Sequence, residues 1–142
     1  MKKSAVLLAA VAVFSFANAQ KIQEKEVPAA VKSALKKNYP NVKEIKWEKE
    51  KGNYEAGFKQ NSTEYSVLLN ASGNILEAET GIAENALPAS VKEYVAKHYP
   101  KNKIKESAKI TDAKGVVTYE AEVNGKDLIF DSSGKFLKET ED

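Results

Sequence analysis

Pairs of glutamates at alternating positions are the residues of this chain best suited to chemistry. Glu48 and Glu50 lie two residues apart, as do Glu77 and Glu79, in segments whose polarity alternates. Side chains two positions apart on a strand point to the same face, so either pair could hold a cation or take part in acid–base catalysis. Because lysines surround the first pair, the preferred interpretation is an ordinary solvated strand.

Nucleophilic and metal chemistry have few candidate residues. The chain has no cysteine and one histidine, His98. Without cysteine no thiolate can attack a substrate or bind a metal, and a single histidine needs several converging carboxylates to form a zinc site. The motifs GxSxG and HExxH are absent. We therefore expect no catalytic residue, metal site or cofactor, and we interpret His98 as a cation at the negative end of a helix.

The N-terminal 19 residues have the pattern of a secretory signal peptide. Lys2 and Lys3 precede an apolar run that ends in Ala17-Asn18-Ala19, which predicts cleavage between Ala19 and Gln20. The run is too short to span a bilayer comfortably, and no cysteine follows that could carry a lipid. These features predict a periplasmic or secreted protein with no membrane anchor.

The charge balance gives no reason to expect nucleic acid as a partner. Loss of the two lysines in the signal peptide would bring the 22 basic residues level with the 20 acidic ones. All the basic residues are lysines, and arginine is the side chain that reads phosphate and guanine with two parallel hydrogen bonds.

Two stretches of the chain resemble each other. Val27-Pro28-Ala29-Ala30-Val31-Lys32 recurs as Leu87-Pro88-Ala89-Ser90-Val91-Lys92. Each motif opens a stretch with helical apolar periodicity, over about 27–38 in the first case, and each stretch ends at a Tyr-Pro pair. Segments of period-two alternation follow, separated by turns such as Asn124-Gly125. Residues 20–26 are expected to be loose, and Trp47 to fill the core.

This pattern predicts an α+β fold of two tandem repeats, each a helix followed by a four-stranded antiparallel meander. The repeats would cover 20–81 and 82–142, form one compact domain and share one core or one continuous sheet. The two helices would cover one sheet face, and the other face would carry mostly polar residues.

A small apolar set on that polar face is the predicted binding surface. Leu68 and Ile129 occupy corresponding positions and point away from the apolar neighbours on their strands, and Leu76 and Leu137 could join them. The alternative is that a loop or a helix edge covers these residues.

The chain resembles the β-lactamase-inhibitor-like, PepSY-like exported proteins of the Bacteroidetes. The resemblance rests on the Tyr-Pro helix ends, on the strands Tyr54-Glu55-Ala56 and Tyr119-Glu120-Ala121, and on the closing turns that end in Ser-Gly, and it covers about 22–140. It implies two tandem units whose strands form one curved sheet, as in β-lactamase inhibitory protein. It also implies a periplasmic or secreted protein that is not an enzyme, and PepSY modules are proposed to restrain peptidases.

From these features we expect an exported, non-catalytic module that binds a protein or peptide of the cell envelope, with a possible inhibitor role toward peptidases or other hydrolases. Either the open sheet face or a sheet edge could do the binding. The alternative is a module that binds a small envelope ligand or a cation through acidic strand residues such as Glu77 and Glu79.

Overall fold

The computed structural model describes residues 19–141. Residues 1–18, which make up most of the predicted signal peptide, and Asp142 lie outside the described part of the chain. The strands are β1 (Gln20–Ile22), β2 (Lys46–Glu50), β3 (Asn53–Gln60), β4 (Thr63–Leu69), β5 (Ile75–Gly81), β6 (Ile104–Asp112), β7 (Val117–Val123), β8 (Lys126–Asp131) and β9 (Phe136–Glu141). The helices are α1 (Ala29–Asn38) and α2 (Ala89–His98), and short 3-10 turns cover Glu24–Glu26 and Glu84–Ala86.

The strands form a single antiparallel sheet in which each pairs with its neighbours along the chain, from β1 at one edge to β9 at the other. Two-residue turns close several of the hairpins. Asn124 and Gly125 have φ values of 54° and 72°, which confirms the type I′ turn predicted from this dipeptide. Lys51-Gly52 and Asn61-Ser62 also have positive φ values and make equally tight turns.

Both helices lie between a proline and a Tyr-Pro pair. Pro28 precedes α1 and Tyr39 ends it, because the proline that follows disfavours helical geometry in the residue before it. Val31 and Leu35, one helical turn apart, are the buried residues of α1. α2 follows the same pattern and buries Val91 and Val95.

The buried face of the sheet carries two apolar clusters. The first joins α1 to β2, β3 and β4 and contains Trp47, which is 4% exposed, so the prediction that Trp47 fills the core is confirmed. The second joins α2 to β7 and β8 around Phe130, which is fully buried. An aromatic group stabilises each cluster. The Phe58 and Tyr65 rings stack at 5.3 Å in the first, and the Tyr94 and Phe136 rings stack at 4.5 Å in the second.

The expectation of an α+β fold made of two tandem helix-plus-four-strand repeats is wrong. Strands make up 47% and helices 21% of the described residues, and all nine strands lie in one sheet, so the fold is mostly β. β5 pairs directly with β6, with Gly81 opposite Ala108. The backbone N–H and C=O groups along the facing edges of β5 and β6 therefore hydrogen-bond to each other. In two separate units these groups would have been exposed. The division of the chain at residues 81 and 82 remains a prediction.

The expectation that residues 20–26 are loose is also wrong. Gln20–Ile22 form strand β1, which places Ile22 opposite Trp47, and Ile22 packs against the first apolar cluster. A 3-10 turn follows, in which the Gln23 backbone N–H donates to the Glu26 carboxylate at 2.7 Å. The polar composition of this segment gives no indication that it pairs with β2.

Candidate binding cavity

Strand β5 directs two glutamates to the sheet face that the helices leave uncovered, here called the open face. Ala78 lies opposite Val67, a member of the first apolar cluster. Because side chains alternate along a strand, Glu77 and Glu79 on either side of Ala78 point to the open face. The two glutamates, which lie two residues apart in the sequence, therefore share one surface of the sheet.

Strand register brings further polar groups beside the two glutamates. Glu77 lies opposite Leu68 on β4 and Asp112 on β6, and Leu68 lies opposite Glu55 on β3. Glu79 lies opposite Ser66 on β4. Acidic side chains that are 22 or more residues apart in sequence thus lie in one row across neighbouring strands.

A cavity of about 690 Å³ opens on this face and extends from β3 to β8. Its lining contains nine acidic residues and one lysine, Lys105. The acidic residues are Glu55, Glu64, Glu77, Glu79, Glu84, Glu106, Glu120, Glu122 and Asp127. The cavity is therefore strongly acidic, although the chain as a whole is nearly balanced in charge.

Glu77 is the most constrained group of the cavity. Its residue is 6% exposed, and its Oε1 atom is buried with no hydrogen-bond partner. Burial, followed by repulsion from Glu79, Asp112 and Glu55, raises the pKa of Glu77 to about 7, and Lys138 opposes this shift. A buried carboxylate without a hydrogen-bond partner is unfavourable, so Glu77 changes between its ionised and protonated forms near neutral pH.

Glu79 and Glu55 have shifts in the same direction. Burial first, then repulsion from Glu55, Asp127 and Glu106, raises the pKa of Glu79 to about 7. Burial also raises the pKa of Glu55, although the Ser66 hydroxyl donates to its Oε1 at 2.8 Å and favours the charged form. Lys105 compensates one carboxylate at the rim, with its Nζ 3.4 Å from Glu122 Oε1.

Gly81 leaves space beside Glu79. Its backbone φ is not in the left-handed region, and a Cβ atom built on it would meet its nearest neighbour, the Glu64 carbonyl oxygen, at 3.5 Å. That is an ordinary van der Waals distance, so a Cβ atom could be added here without a clash. The missing side chain therefore enlarges the cavity.

The predicted apolar binding surface does not form as one exposed patch. Leu68 is 8% exposed and Ile129 is fully buried, although both belong to the open face. Leu68 lies between Glu55 and Glu77, and Ile129 lies between Glu120 and Lys138, so long charged side chains surround both. Neither a loop nor a helix edge is needed to cover them.

Leu76 and Leu137 lie at β-bulges. The register shifts between Leu68 and Leu69, so that Leu69 pairs with Ile75 and Leu76 is the extra residue. The same shift between Ile129 and Phe130 makes Leu137 the extra residue of β9, where it is 48% exposed. The bulges leave both residues without a cross-strand partner, which simple alternation does not predict.

The other candidates from the sequence lie outside the cavity lining. Glu48 and Glu50 are on β2, near the β1 edge of the sheet. His98 ends α2, and its ring stacks on Tyr94 at 4.1 Å. Among residues 19–141, no three acidic or histidine side chains converge closely enough to hold one metal ion.

Glu55, Glu106, Glu122 and Asp127 are cavity residues that the sequence analysis missed. Glu55, Glu122 and Asp127 lie next to core residues on their strands, at positions that alternation assigns to the open face, so their orientation could have been predicted. Glu106 could not, because it is in phase with the buried Ala108 and Ile110 and lies beside a register shift. Their proximity to Glu77 and Glu79 depends on register across several strands, and the sequence shows no direct signal for it.

A family model described as "Putative beta-lactamase-inhibitor-like, PepSY-like" matches the chain twice, over residues 16–77 and 63–138. The chain belongs to this family. The resemblance identified from the sequence motifs is therefore confirmed. No curated protein matches the chain.

Solved structures from Bacteroides species are similar to this chain. A BLIP-like protein from Bacteroides fragilis is 30% identical, with a TM-score of 0.64, over 80% of this chain and 86% of that one. A structure from Bacteroides eggerthii, described with the words "putative periplasmic proteins", is 20% identical and has a TM-score of 0.73. That match covers 81% of this chain and 88% of the other and shows a shared fold. Neither helix of residues 19–141 has the length and hydropathy needed to cross a membrane.

Proposed function

We propose that this chain is an exported, non-catalytic binding module of the cell envelope that recognises a protein or peptide in the open-face cavity. The observation that carries the proposal is the acidic cavity itself, which extends from β3 to β8. Its volume of about 690 Å³ lies within the range of roughly 300–1,000 Å³ typical of ligand pockets. A partner with complementary positive charge would be steered toward it.

Binding is favoured over catalysis by what lines the cavity. Carboxyl groups with raised pKa values also occur in active sites, where they act as acids or bases. Here Glu77 and Glu79 have no histidine or cysteine beside them among the lining residues. His98 lies on α2 against Tyr94 instead. The inhibitor-like description of the family also supports a role without turnover.

A protein or peptide fits the cavity better than a bare cation does. The lining spans six strands, about 24 Å across the sheet at the usual strand spacing. A single ion would contact only a small part of that surface, whereas an extended segment could follow it. The alternative of a small ligand or cation uses Glu77 and Glu79 as well, so the experiment must distinguish the two.

Site-specific photo-crosslinking would test the proposal. A photoreactive phenylalanine analogue replaces Glu106, an exposed residue of the cavity lining, in a chain expressed and exported in its own host. The matched control carries the analogue at Lys36, an exposed residue of α1 on the opposite side of the sheet. We expect a discrete protein or peptide adduct from position 106 and none from position 36.

Identical adducts from both positions, or none from position 106, would contradict recognition on the open face. Sequencing the crosslinked peptide by mass spectrometry identifies the partner and the segment that lies in the cavity. A partner that is a peptidase or another hydrolase would support the inhibitor role, which an inhibition assay would then measure directly.

A further inference from the structure

Glu77 lines the cavity and carries a buried, unsatisfied acceptor. Its Oε1 has no hydrogen-bond partner, and the residue is 6% exposed, so solvent does little to compensate for it. Buried polar groups normally have a partner, and one that lacks it calls for an explanation. A donor supplied by a ligand would satisfy the atom.

We propose that the cavity takes a lysine or arginine side chain of an extended peptide segment, whose cationic N–H groups donate to Glu77 and Glu79. This inference rests on the proposed function and adds the chemistry of the partner. Hydrogen bonds between a cation and a carboxylate are short and roughly twice as strong as neutral ones. They are strengthened further where burial lowers the local dielectric.

The spacing of the two carboxylates suits an organic cation better than a metal ion. Residues two apart on one strand have Cα atoms about 7 Å from each other. A calcium ion needs six or more oxygens within about 2.6 Å, whereas no three acidic side chains among residues 19–141 converge in this way. An ammonium has three N–H donors and a guanidinium five, so either could bridge two separated carboxylates.

The surrounding charges make the site attractive to a cation. Glu55 on β3, Asp112 and Glu106 on β6 and Asp127 on β8 repel Glu77 or Glu79, and Lys138 on β9 is the basic residue that acts on Glu77. A bound cation would relieve this repulsion. It would also favour the ionised carboxylates, so binding should release protons near neutral pH.

Calorimetric titration with short peptides tests the inference on the chain from Gln20 to Asp142. The first peptide has lysines at alternate positions, and a second has glutamine in their place. At a pH of about 8 and low ionic strength, we expect the lysine peptide to bind at least tenfold more tightly. Heats measured at about pH 7 in buffers of different ionisation enthalpy should show proton release on binding.

Three variants locate the site. Glu77→Gln/Glu79→Gln removes both carboxylates, and we expect it to weaken lysine-peptide binding at least tenfold. Gly81→Val fills the space beside Glu79 without changing charge, and we expect a similar loss. The control, Glu24→Gln/Glu44→Gln, makes the same change in charge at two exposed residues outside the lining, and its affinity should stay within twofold.

Several results would overturn the inference. Equal affinity for the glutamine and lysine peptides would show that the cation is not recognised. Equal weakening of binding by all variants, the control included, would indicate only general charge attraction. Binding of calcium ions with loss in the double variant, together with no binding of the lysine peptide, would assign the site to a metal. Crosslinks from position 106 to a segment without lysine or arginine would leave the proposed function standing and refute this inference. Lysine-peptide binding without any crosslinked partner would leave this inference standing and contradict the proposed function.

Discussion

At the scale of single residues, Glu77 is in an environment that opposes its usual charged state. The charged groups that repel it along β5 and across the sheet are Glu79, Asp112 and Glu55, and its Oε1 lacks a partner. Such clustering does not stabilise the free protein, since burial and repulsion both disfavour ionisation. A group kept at this cost to stability is a reasonable candidate for a functional role.

The first prediction concerns stability and pH. The pKa values of Glu77 and Glu79 are raised to about 7 in the folded chain, so the folded state binds more protons than the unfolded state between about pH 4.5 and 7. The free energy of unfolding should therefore contain a favourable contribution that is complete below about pH 4.5 and is lost as the pH rises through about 7. Urea unfolding at a series of pH values, followed by Trp47 fluorescence, measures it.

Glu77→Gln/Glu79→Gln should flatten this dependence on pH. Above about pH 7 we expect the variant to be more stable than the parent chain by roughly 2 kcal/mol, less than the full value of the shifts because solvent reaches part of the site. The control Glu24→Gln/Glu44→Gln should keep the parent's slope. An unchanged slope in the Glu77 and Glu79 variant would show that other groups cause the dependence.

At the scale of elements, two turns pack against the starts of the helices. Asp131 Oδ1 accepts hydrogen bonds from the Ser133 hydroxyl at 2.7 Å and from the backbone N–H groups of Ser133 and Lys135, both at 2.9 Å. The bond from the Ser133 hydroxyl, followed by the backbone bonds, lowers the pKa of Asp131. The Ser90 hydroxyl of α2 donates to the Gly134 carbonyl at 3.1 Å. Asn70 organises the β4–β5 turn with equivalent backbone bonds. Each turn ends at a glycine that touches a helix.

The second prediction concerns these two glycines, Gly73 and Gly134, both with φ near +87°. A Cβ on Gly73 would lie 2.6 Å from the Ala30 carbonyl oxygen, and one on Gly134 would collide with the Ser90 hydroxyl and lie 2.9 Å from Pro88 Cβ. We expect Gly73→Ala and Gly134→Ala each to lower the free energy of unfolding by roughly 2–3 kcal/mol. Chemical denaturation measures the change.

Gly52→Ala is the matched control for this prediction. Gly52 has a positive φ of 79° but no atom within 4 Å of the added Cβ. Its substitution should show only the backbone strain, about 1 kcal/mol. Equal losses for all three variants would mean that contact with the helices adds nothing to the strain.

Element-scale prediction from the sequence works for the helices and the tight turns. The apolar stripes and the prolines correctly locate α1 and α2, and Asn124-Gly125 correctly predicts a hairpin turn. The bulges at Leu76 and Leu137 have no comparable signature, because the extra residue is defined only against its partner strand. The predicted apolar set did not take these bulges into account, and a binding role for Leu76 and Leu137 stays a prediction.

At the scale of the whole molecule, one sheet joins two apolar clusters. β5 and β6 are hydrogen-bonded partners, so neither cluster can lose its strands without exposing an edge of the other half of the sheet. The molecule should therefore unfold in one cooperative transition.

The third prediction uses Trp47, the chain's only tryptophan, as a reporter in the first cluster. Phe130→Ala removes a fully buried ring from the second cluster and should cost about 3–5 kcal/mol. If unfolding is cooperative, the midpoint seen by Trp47 fluorescence shifts together with the midpoint seen by far-ultraviolet circular dichroism. A Trp47 midpoint that stays at the parent value would show that the clusters unfold independently. Leu137→Ala, at an exposed position, should shift neither midpoint appreciably.

By itself, the sequence determined the family, the helices, the tight Asn124-Gly125 turn and the burial of Trp47, because each depends on local periodicity, turn chemistry or recurring motifs. It also singled out Glu77 and Glu79, since alternation along one strand is a local property. Only the tertiary structure decided the mostly-β class, the β1 strand and the cavity. Strand pairing brings together groups from distant parts of the chain, and the environment that raises the pKa of Glu77 to about 7 exists only once β3 to β8 have paired in register.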